Sequence, residues 1–166
     1  MSTAAASPPA QPAAAPPAQP ADAPPPLPDR ASILMSIKPE HMARIVARTK
    51  THEFRRYQLP ASVTHIWFYT SAPVQRLQFL AAIAPAKAPG AIDAADTGAG
   101  NADFNAGRKD ARTRAYAVTA LWRLPRGGVP LAAMKARGWA RGPPQKYNWA
   151  HAPMVAAARS GLERVF

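Results

Sequence analysis

The sequence lacks cysteine and has few acidic residues and no long hydrophobic run. Without cysteine, the chain has neither disulfides nor a zinc site built on thiolates, which excludes the small disulfide-stapled secreted modules. Its apolar runs fall short of the roughly 18 residues that cross a bilayer, and its first ten residues do not resemble a signal peptide. We therefore expect an intracellular protein that does not span a membrane.

The shortage of acidic residues leaves a strong positive charge. Only 9 Asp and Glu oppose 21 Lys and Arg, so the formal net charge of the 166 residues is +12. Residues 31–166 alone contain 20 basic and 7 acidic residues. A compact body with this imbalance repels itself unless a polyanion or counterions neutralise it, which favours a nucleic acid as partner. The alternative is a general basicity of the proteome from which the chain comes.

Composition divides the chain into a tail and one domain. Residues 1–30 contain 10 Pro and 10 Ala, which supply too little apolar surface for a core, so we predict a disordered tail. The functional alternative is a Pro-rich ligand that recruits a protein partner. Residues 31–166 are predicted to form one domain. Inside it, residues 89–111 are small and polar, with Ile92 and Phe104 as the anchoring candidates, and are predicted to form a long mobile loop.

Hydrophobic periodicity predicts mostly strands. The predicted strands cover 32–38, 51–57, 63–70, 76–84 and 113–124, with a closing strand from Lys146. The predicted helices cover 39–49 and 130–137, and an amphipathic stretch covers 155–165. This order predicts an α+β domain, a small and mostly antiparallel β-barrel with short flanking helices, because closure hides strand edges in a domain of this size.

Three charged side chains lie at the junction of the first helix and the second strand. Lys50 precedes the strand, and Glu53 and Arg55 lie two residues apart on one face of it, within reach of each other. A carboxylate among cations stays ionised and can orient them toward phosphate. The alternative is a solvated row of ion pairs on an exposed strand.

These residues match a known signature. The ASCH domain, a member of the PUA-like superfamily of small β-barrels, carries GxKxxExR after its first helix. Lys50, Glu53 and Arg55 match it, while Arg48 replaces the glycine. The strand that ends in Tyr69, followed by Ser71 and Pro73, and the late stretch 143–147 also resemble this family.

The resemblance implies a cleft between barrel and first helix that binds RNA or a nucleotide-like ligand. Lys50 and Arg55 would contact phosphate or base acceptors, and Glu53 would hold them. Tyr69 and Ser71 would line the cleft wall. Its rim would be formed by Lys146 and Tyr147. We expect a monomer that needs no cofactor.

Two other functions remain open. One branch of small ASCH proteins is similar to an amidohydrolase that acts on N4-acetylcytidine with a Lys, a Thr and a Glu. Its Thr stands where this chain has Glu53, and 74–85 contains no carboxylate for its acidic partner, so catalysis is disfavoured. If the chain were an enzyme acting on an acylated nucleoside, Lys50, Thr51 and Glu53 would be its catalytic residues. The other function is a protein-interaction module that uses the Pro-rich tail.

The late part of the chain interleaves aromatic and basic residues. Its aromatic residues are Trp139, Tyr147 and Trp149, and its cations are Arg137, Arg141 and Lys146. Such rings stack on unpaired bases, although a role in the core is equally consistent with the pattern. The four histidines show no pair at the i, i+4 spacing of a helical metal site, so we expect no bound metal.

Overall fold

The computed structural model describes residues 22–166; the predicted tail up to residue 21 lies outside the described residues. The strands are β1 (Ser32–Ile37), β2 (His52–Arg55), β3 (His65–Thr70), β4 (Arg76–Ile83), β5 (Arg114–Arg123), β6 (Val129–Pro130), β7 (Asn148–Trp149) and β8 (Glu163–Arg164). The helices are α1 (Pro39–Val46), α2 (Asn101–Asn105), α3 (Leu131–Ala136) and α4 (Ala152–Ala158). No helix in this part of the chain is long and apolar enough to span a membrane.

One mixed sheet carries the fold. Its strands follow the order β2-β5-β4-β3-β1-β7, with β6 added to β4 and β8 added to β5. Strands β1 and β3 are parallel, and the other pairs are antiparallel. The sheet curls into a half-barrel, which confirms the predicted α+β class with a mostly antiparallel barrel.

Apolar clusters cover both faces of the sheet. Every residue of the central strand β3 is buried. Because successive side chains of a strand point to opposite faces, Ile66 and Phe68 pack inside the half-barrel with α1. Trp67 and Tyr69 pack on the outer face with α3 and α4.

Side chains connect the two ends of the curled sheet. The Arg55 Nη2 of β2 donates to the carbonyl of Ser36 on β1 at 2.8 Å. Beyond β2, the Tyr57 hydroxyl donates to the carbonyl of Lys146 at 2.9 Å, just before β7. Because β2 and β7 are the two ends of the strand order, these hydrogen bonds bridge the gap that the half-barrel leaves between them.

Residues 22–30, the end of the segment predicted as a tail, lie along the outer face of the sheet. The Trp122 indole donates to the carbonyl of Asp22 at 2.7 Å, and Arg159 donates to the carbonyl of Pro24 at 2.8 Å. Leu27 packs against the apolar cluster of the outer face, which contains Trp67 and Tyr69 and which we call the outer cluster.

The segment 89–111, predicted as a mobile loop, contains helix α2. As anticipated, Ile92 and Phe104 anchor it: both are buried, and they pack with Phe54 and Ala115. The helix was missed because five residues are too few to show a helical hydrophobic period, and no side chain caps its start. The segment covers the outer side of β2.

Candidate nucleic-acid interface

A left-handed residue ends α1 and turns the chain into β2. Arg48 has φ of 58°, and the next two backbone amides, of Thr49 and Lys50, donate back to the carbonyl of Arg44. This is the helix-terminating position at which glycine is preferred, because it has no Cβ to clash. The family's glycine thus corresponds to a backbone requirement that Arg48 meets here, with its guanidinium 4.7 Å from the centre of the Phe166 ring.

The structure brings Lys50, Glu53 and Arg55 together. Glu53 accepts from Lys50 at 3.2 Å through one oxygen and from Arg55 at 2.8 Å through the other. Lys50 and Glu53 are 6% and 5% exposed. Burial lowers the pKa of Lys50, and the neighbouring Glu53 carboxylate opposes that shift. The three side chains therefore form an ion-pair cluster in which Lys50 and Glu53 are buried and Arg55 is partly exposed, rather than a solvated row on an open strand.

A cavity of about 290 Å³ opens beside this cluster between α1 and β2, and we call it the first cavity. The polar side chains that line it are Ser36, Lys38, His41, Glu53, Arg55 and Ser71. Lys50 lies behind Glu53 and does not line the cavity, so it does not occupy the position on the cleft surface that was expected of it.

Arg55 has guanidinium donors left for a ligand. Its Nη2 makes both contacts just described, with Glu53 and with the carbonyl of Ser36. Its Nε is buried and has no hydrogen-bond partner among residues 22–166, while the side chain as a whole is 21% exposed and lines the first cavity. Arg55 is thus fixed on one side and can bind an anion with the remainder of its planar head group.

The prediction that Tyr69 lines the cleft is wrong. Its side chain is fully buried in the outer cluster, because alternation along β3 turns it away from the face that carries Phe68. Ser71, which follows the strand, does line the first cavity.

Thr51 belongs to a different polar cluster. Its hydroxyl donates to Asp96 at 2.9 Å, accepts from Asn101 at 3.0 Å and lies 2.9 Å from Nδ1 of His52. A Cβ at Gly98 would overlap this hydroxyl, so the segment 89–111 approaches β2 closely. The Thr51 hydroxyl is therefore engaged by Asp96 and Asn101, and among residues 22–166 it makes no hydrogen bond to Lys50 or Glu53, as the trio of an amidohydrolase would require.

Lys146 and Tyr147 line a separate and larger space, which we call the second cavity. It measures about 1430 Å³ and also takes in Trp139, Arg141 and Trp149. The two cavities are neighbours, because the hydroxyl of Ser36, in the wall of the first, donates at 2.7 Å to the carbonyl of Pro144, whose sequence neighbours Pro143 and Gln145 line the second.

Sequence reasoning missed several residues around the site. It did not place Ser36, Lys38 or His41 in a cavity wall, although their position where β1 passes into α1 was a usable signal. It also missed the pairing of Asp96 with Thr51, because contacts between distant segments leave no local pattern. Within residues 22–166, no group of three His, Cys, Asp or Glu could hold a metal ion.

Comparison with known proteins gives sequence and structural relatives. No protein-family model matches the chain. A stretch of 50 residues is 44% identical to a protein from Zymomonas mobilis subsp. mobilis named "ASCH domain-containing ribonuclease". That stretch covers 30% of this chain and 34% of the relative, so the match spans about a third of the relative's length.

The structural similarity extends over most of the chain. The crystal structure of ASCH from Zymomonas mobilis matches with a TM-score of 0.58 and 20% identity, over 81% of this chain and 98% of that chain. A single-substitution mutant of the same protein matches with a TM-score of 0.60 and 21% identity, over 82% and 99%. The resemblance found in the sequence is confirmed: the chain has the fold of an ASCH domain.

Proposed function

We propose that this chain binds RNA and holds a phosphate of its backbone at the first cavity. The observation that carries the proposal is Arg55, whose guanidinium is held by the buried Glu53 and by the carbonyl of Ser36 and whose side chain lines the cavity. Phosphate accepts paired hydrogen bonds from a guanidinium, and a pre-oriented guanidinium loses little freedom on binding.

The surroundings support an anionic ligand. Lys38 adds a cation to the cavity wall, and Glu53 is the one carboxylate in it among the described residues. Because Lys50 and Arg55 both pair with Glu53, the cluster as a whole keeps a positive charge. Ser71 is placed to donate to a ligand oxygen. A relative that aligns with part of this chain is named a ribonuclease, which favours RNA over other polyanions.

Lys146 and Tyr147 extend the proposed site. Lys146 is exposed, and its ammonium lies 4.7 Å from the centre of the Tyr57 ring and 5.8 Å from that of Tyr147. They form a rim beside the first cavity that combines a cation with an aromatic ring, the pair that binds phosphate and base in single strands.

The salt dependence of binding tests this proposal. For a labelled single-stranded RNA, the logarithm of the affinity should fall linearly with the logarithm of salt concentration, by about 0.7 per phosphate contact. Arg55→Gln should weaken binding about tenfold and make the slope shallower by about 0.7, because one phosphate contact is lost. Arg55→Lys keeps the positive charge but loses the paired donors of the guanidinium, so its affinity should lie between those of wild type and Arg55→Gln.

Arg126→Gln is the matched control. Arg126 is exposed in the turn at Pro125–Gly127 and lines neither cavity, so its loss should change the affinity little. Thermal melts of all variants report whether they fold. Affinity that does not depend on salt, or that is equal in folded Arg55→Gln and wild type, would contradict the proposal.

A second candidate function is RNA cleavage, favoured by the name of the partial relative. Attack of a ribose 2′-hydroxyl on the adjacent phosphate forms a 2′,3′-cyclic phosphate and breaks the bond from phosphorus to the 5′-oxygen. The step needs a group that accepts the hydroxyl proton, a proton for the leaving 5′-oxygen and a cation that stabilises the added negative charge. In the wall of the first cavity, His41 is placed to accept the proton and Arg55 to supply the cation, and solvent water can protonate the leaving oxygen. Cleavage of labelled RNA by wild type, lost in His41→Gln while binding persists, would support it; intact RNA after long incubation would refute it.

A further inference from the structure

The second cavity lies in the most one-sidedly charged part of the chain. Between Asp110 and Glu163 the sequence contains nine Lys and Arg and no acidic residue. Four of these cations flank or line the second cavity, namely Lys135, Arg137, Arg141 and Lys146. All four are exposed. Among the described residues, the Lys, Arg, Asp and Glu side chains that line this space are all Lys or Arg, which makes it complementary to an extended anion.

Aromatic rings are presented in the same cavity. Tyr147 and Trp149 are half-buried and meet edge to face, with 6.2 Å between their ring centres. Tyr57 lies 5.9 Å from Tyr147 on the side of the first cavity. Trp139 is 7% exposed and has the Arg137 guanidinium 4.9 Å from its ring centre, so it forms the floor and leaves stacking to the other rings.

The two cavities lie along one path. Residues 144–146 lie between the two cavities. They are held in place by the hydrogen bonds that the hydroxyls of Ser36 and Tyr57 donate to the carbonyls of Pro144 and Lys146. An extended ligand that continues from Arg55 out of the first cavity therefore reaches Tyr147 and Lys146 next, and then Trp149.

We propose that the second cavity binds the continuation of a single-stranded RNA whose phosphate is held in the first cavity, an inference that rests on the proposed function. Bases stack on Tyr147 and Trp149, and Arg141 and Lys146 neutralise the intervening phosphates. The ligand is a single strand because aromatic side chains stack only on bases whose faces are free, whereas a duplex covers those faces with neighbouring bases.

Binding of RNAs of different length tests the inference, with fluorescence anisotropy at one salt concentration. A dinucleotide fills only the first cavity, so Trp149→Ala should bind it as wild type does. A single-stranded octanucleotide reaches the second cavity, and Trp149→Ala should bind it about tenfold more weakly because one stacked base is lost. Arg141→Gln should show the same selectivity for the longer RNA with a smaller loss.

The controls separate folding from binding. Trp149 is paired with Ile33, so its replacement can affect folding, whereas Arg141 is exposed and gives a variant that keeps the fold. Arg126→Gln removes an equal charge outside both cavities and should leave both affinities unchanged. A duplex of the same length should bind more weakly than the single strand.

The outcomes distinguish this inference from the proposed function. One outcome is that Arg55→Gln weakens binding of both RNAs, while RNA length and the variants Trp149→Ala and Arg141→Gln change nothing. The first cavity then binds RNA, and the inference about the second cavity is overturned. A duplex that binds as tightly as the single strand also overturns it. If neither RNA binds and Arg55→Gln changes nothing, the proposed function itself is wrong.

Discussion

The two cavities place their positive charge in different ways. In the first, Lys50 and Glu53 are buried and the Arg55 guanidinium is held by Glu53 and by the carbonyl of Ser36. In the second, Arg141 and Lys146 are exposed beside aromatic rings, and no carboxylate of residues 22–166 lines the space. The first arrangement suits one phosphate in one geometry, whereas the second suits a flexible strand, because its cations can follow the ligand.

This comparison leads to different expectations for stability. Charges that are buried need their partners, since an unpaired charge in a poorly solvated site is strongly destabilising. Charges that are exposed keep their hydration and cost little when removed. Mutations in the two cavities should therefore separate a role in folding from a role in binding.

The largest effect is expected for Glu53→Gln. It leaves Lys50 buried without a carboxylate and should lower the free energy of unfolding by about 3 kcal/mol. Urea denaturation measures this loss. Glu163→Gln, at an exposed position in β8, is the matched control and should change stability by less than about 0.5 kcal/mol. Equal free energies of unfolding of the two variants would show that Glu53 contributes no more to stability than an exposed surface carboxylate.

A smaller effect is expected on acidification, because the fold buries two histidines. Burial lowers the pKa of His52, with Lys87 lowering it further and Asp96 opposing, and burial lowers the pKa of His65, with Arg159 adding to the shift. Below about pH 6.5 the unfolded chain then binds protons that the folded chain does not, so stability is complete above that pH and falls as pH drops toward the folded pKa values.

The expected loss between about pH 7 and about pH 5 is on the order of 1 kcal/mol. Urea denaturation at both pH values measures it, and His52→Gln should reduce the difference between them. His52 lies in β2, the strand that carries Glu53 and Arg55, and this variant tests whether protonation of His52 is a source of the loss. A chain that is equally stable or more stable at the lower pH would contradict the expectation.

The smallest effect is expected for Tyr57→Phe, which removes one of the two hydrogen bonds between the walls of the two cavities. The hydroxyl donates to the Lys146 carbonyl at an exposed position, so the loss should be about 0.5 kcal/mol in stability. Binding of a dinucleotide should stay unchanged, and binding of a longer single strand should weaken slightly. An equal effect on both RNAs would show that the two cavities do not act in sequence along one strand.

Local patterns predicted most of the sheet. The apolar runs of β1, β3 and β4 and the helix that begins at Pro39 follow from periodicity, because their burial repeats along the chain. The signature residues Lys50, Glu53 and Arg55 were also recognised from the local sequence, because they lie within six positions of one another. The left-handed Arg48 was not anticipated, since neither its side chain nor its neighbours mark a positive φ.

Contacts between distant segments were not predictable. Tyr69 was placed in the cleft because it belongs to a motif, but the register of β3 turns it to the other face. Thr51 was grouped with Glu53, but Asp96 and Asn101, from the segment that was expected to be a mobile loop, engage its hydroxyl instead.

The amino-acid sequence alone determined the positive charge, the strand and helix pattern and the membership of Lys50, Glu53 and Arg55 in one cluster, because each depends on composition or on residues a few positions apart. Tertiary structure decided that Glu53 is buried, that Lys50 lies behind it and that Ser36 connects the two cavities. These features depend on which strands become neighbours when the sheet curls, and that choice is made by packing across the whole domain.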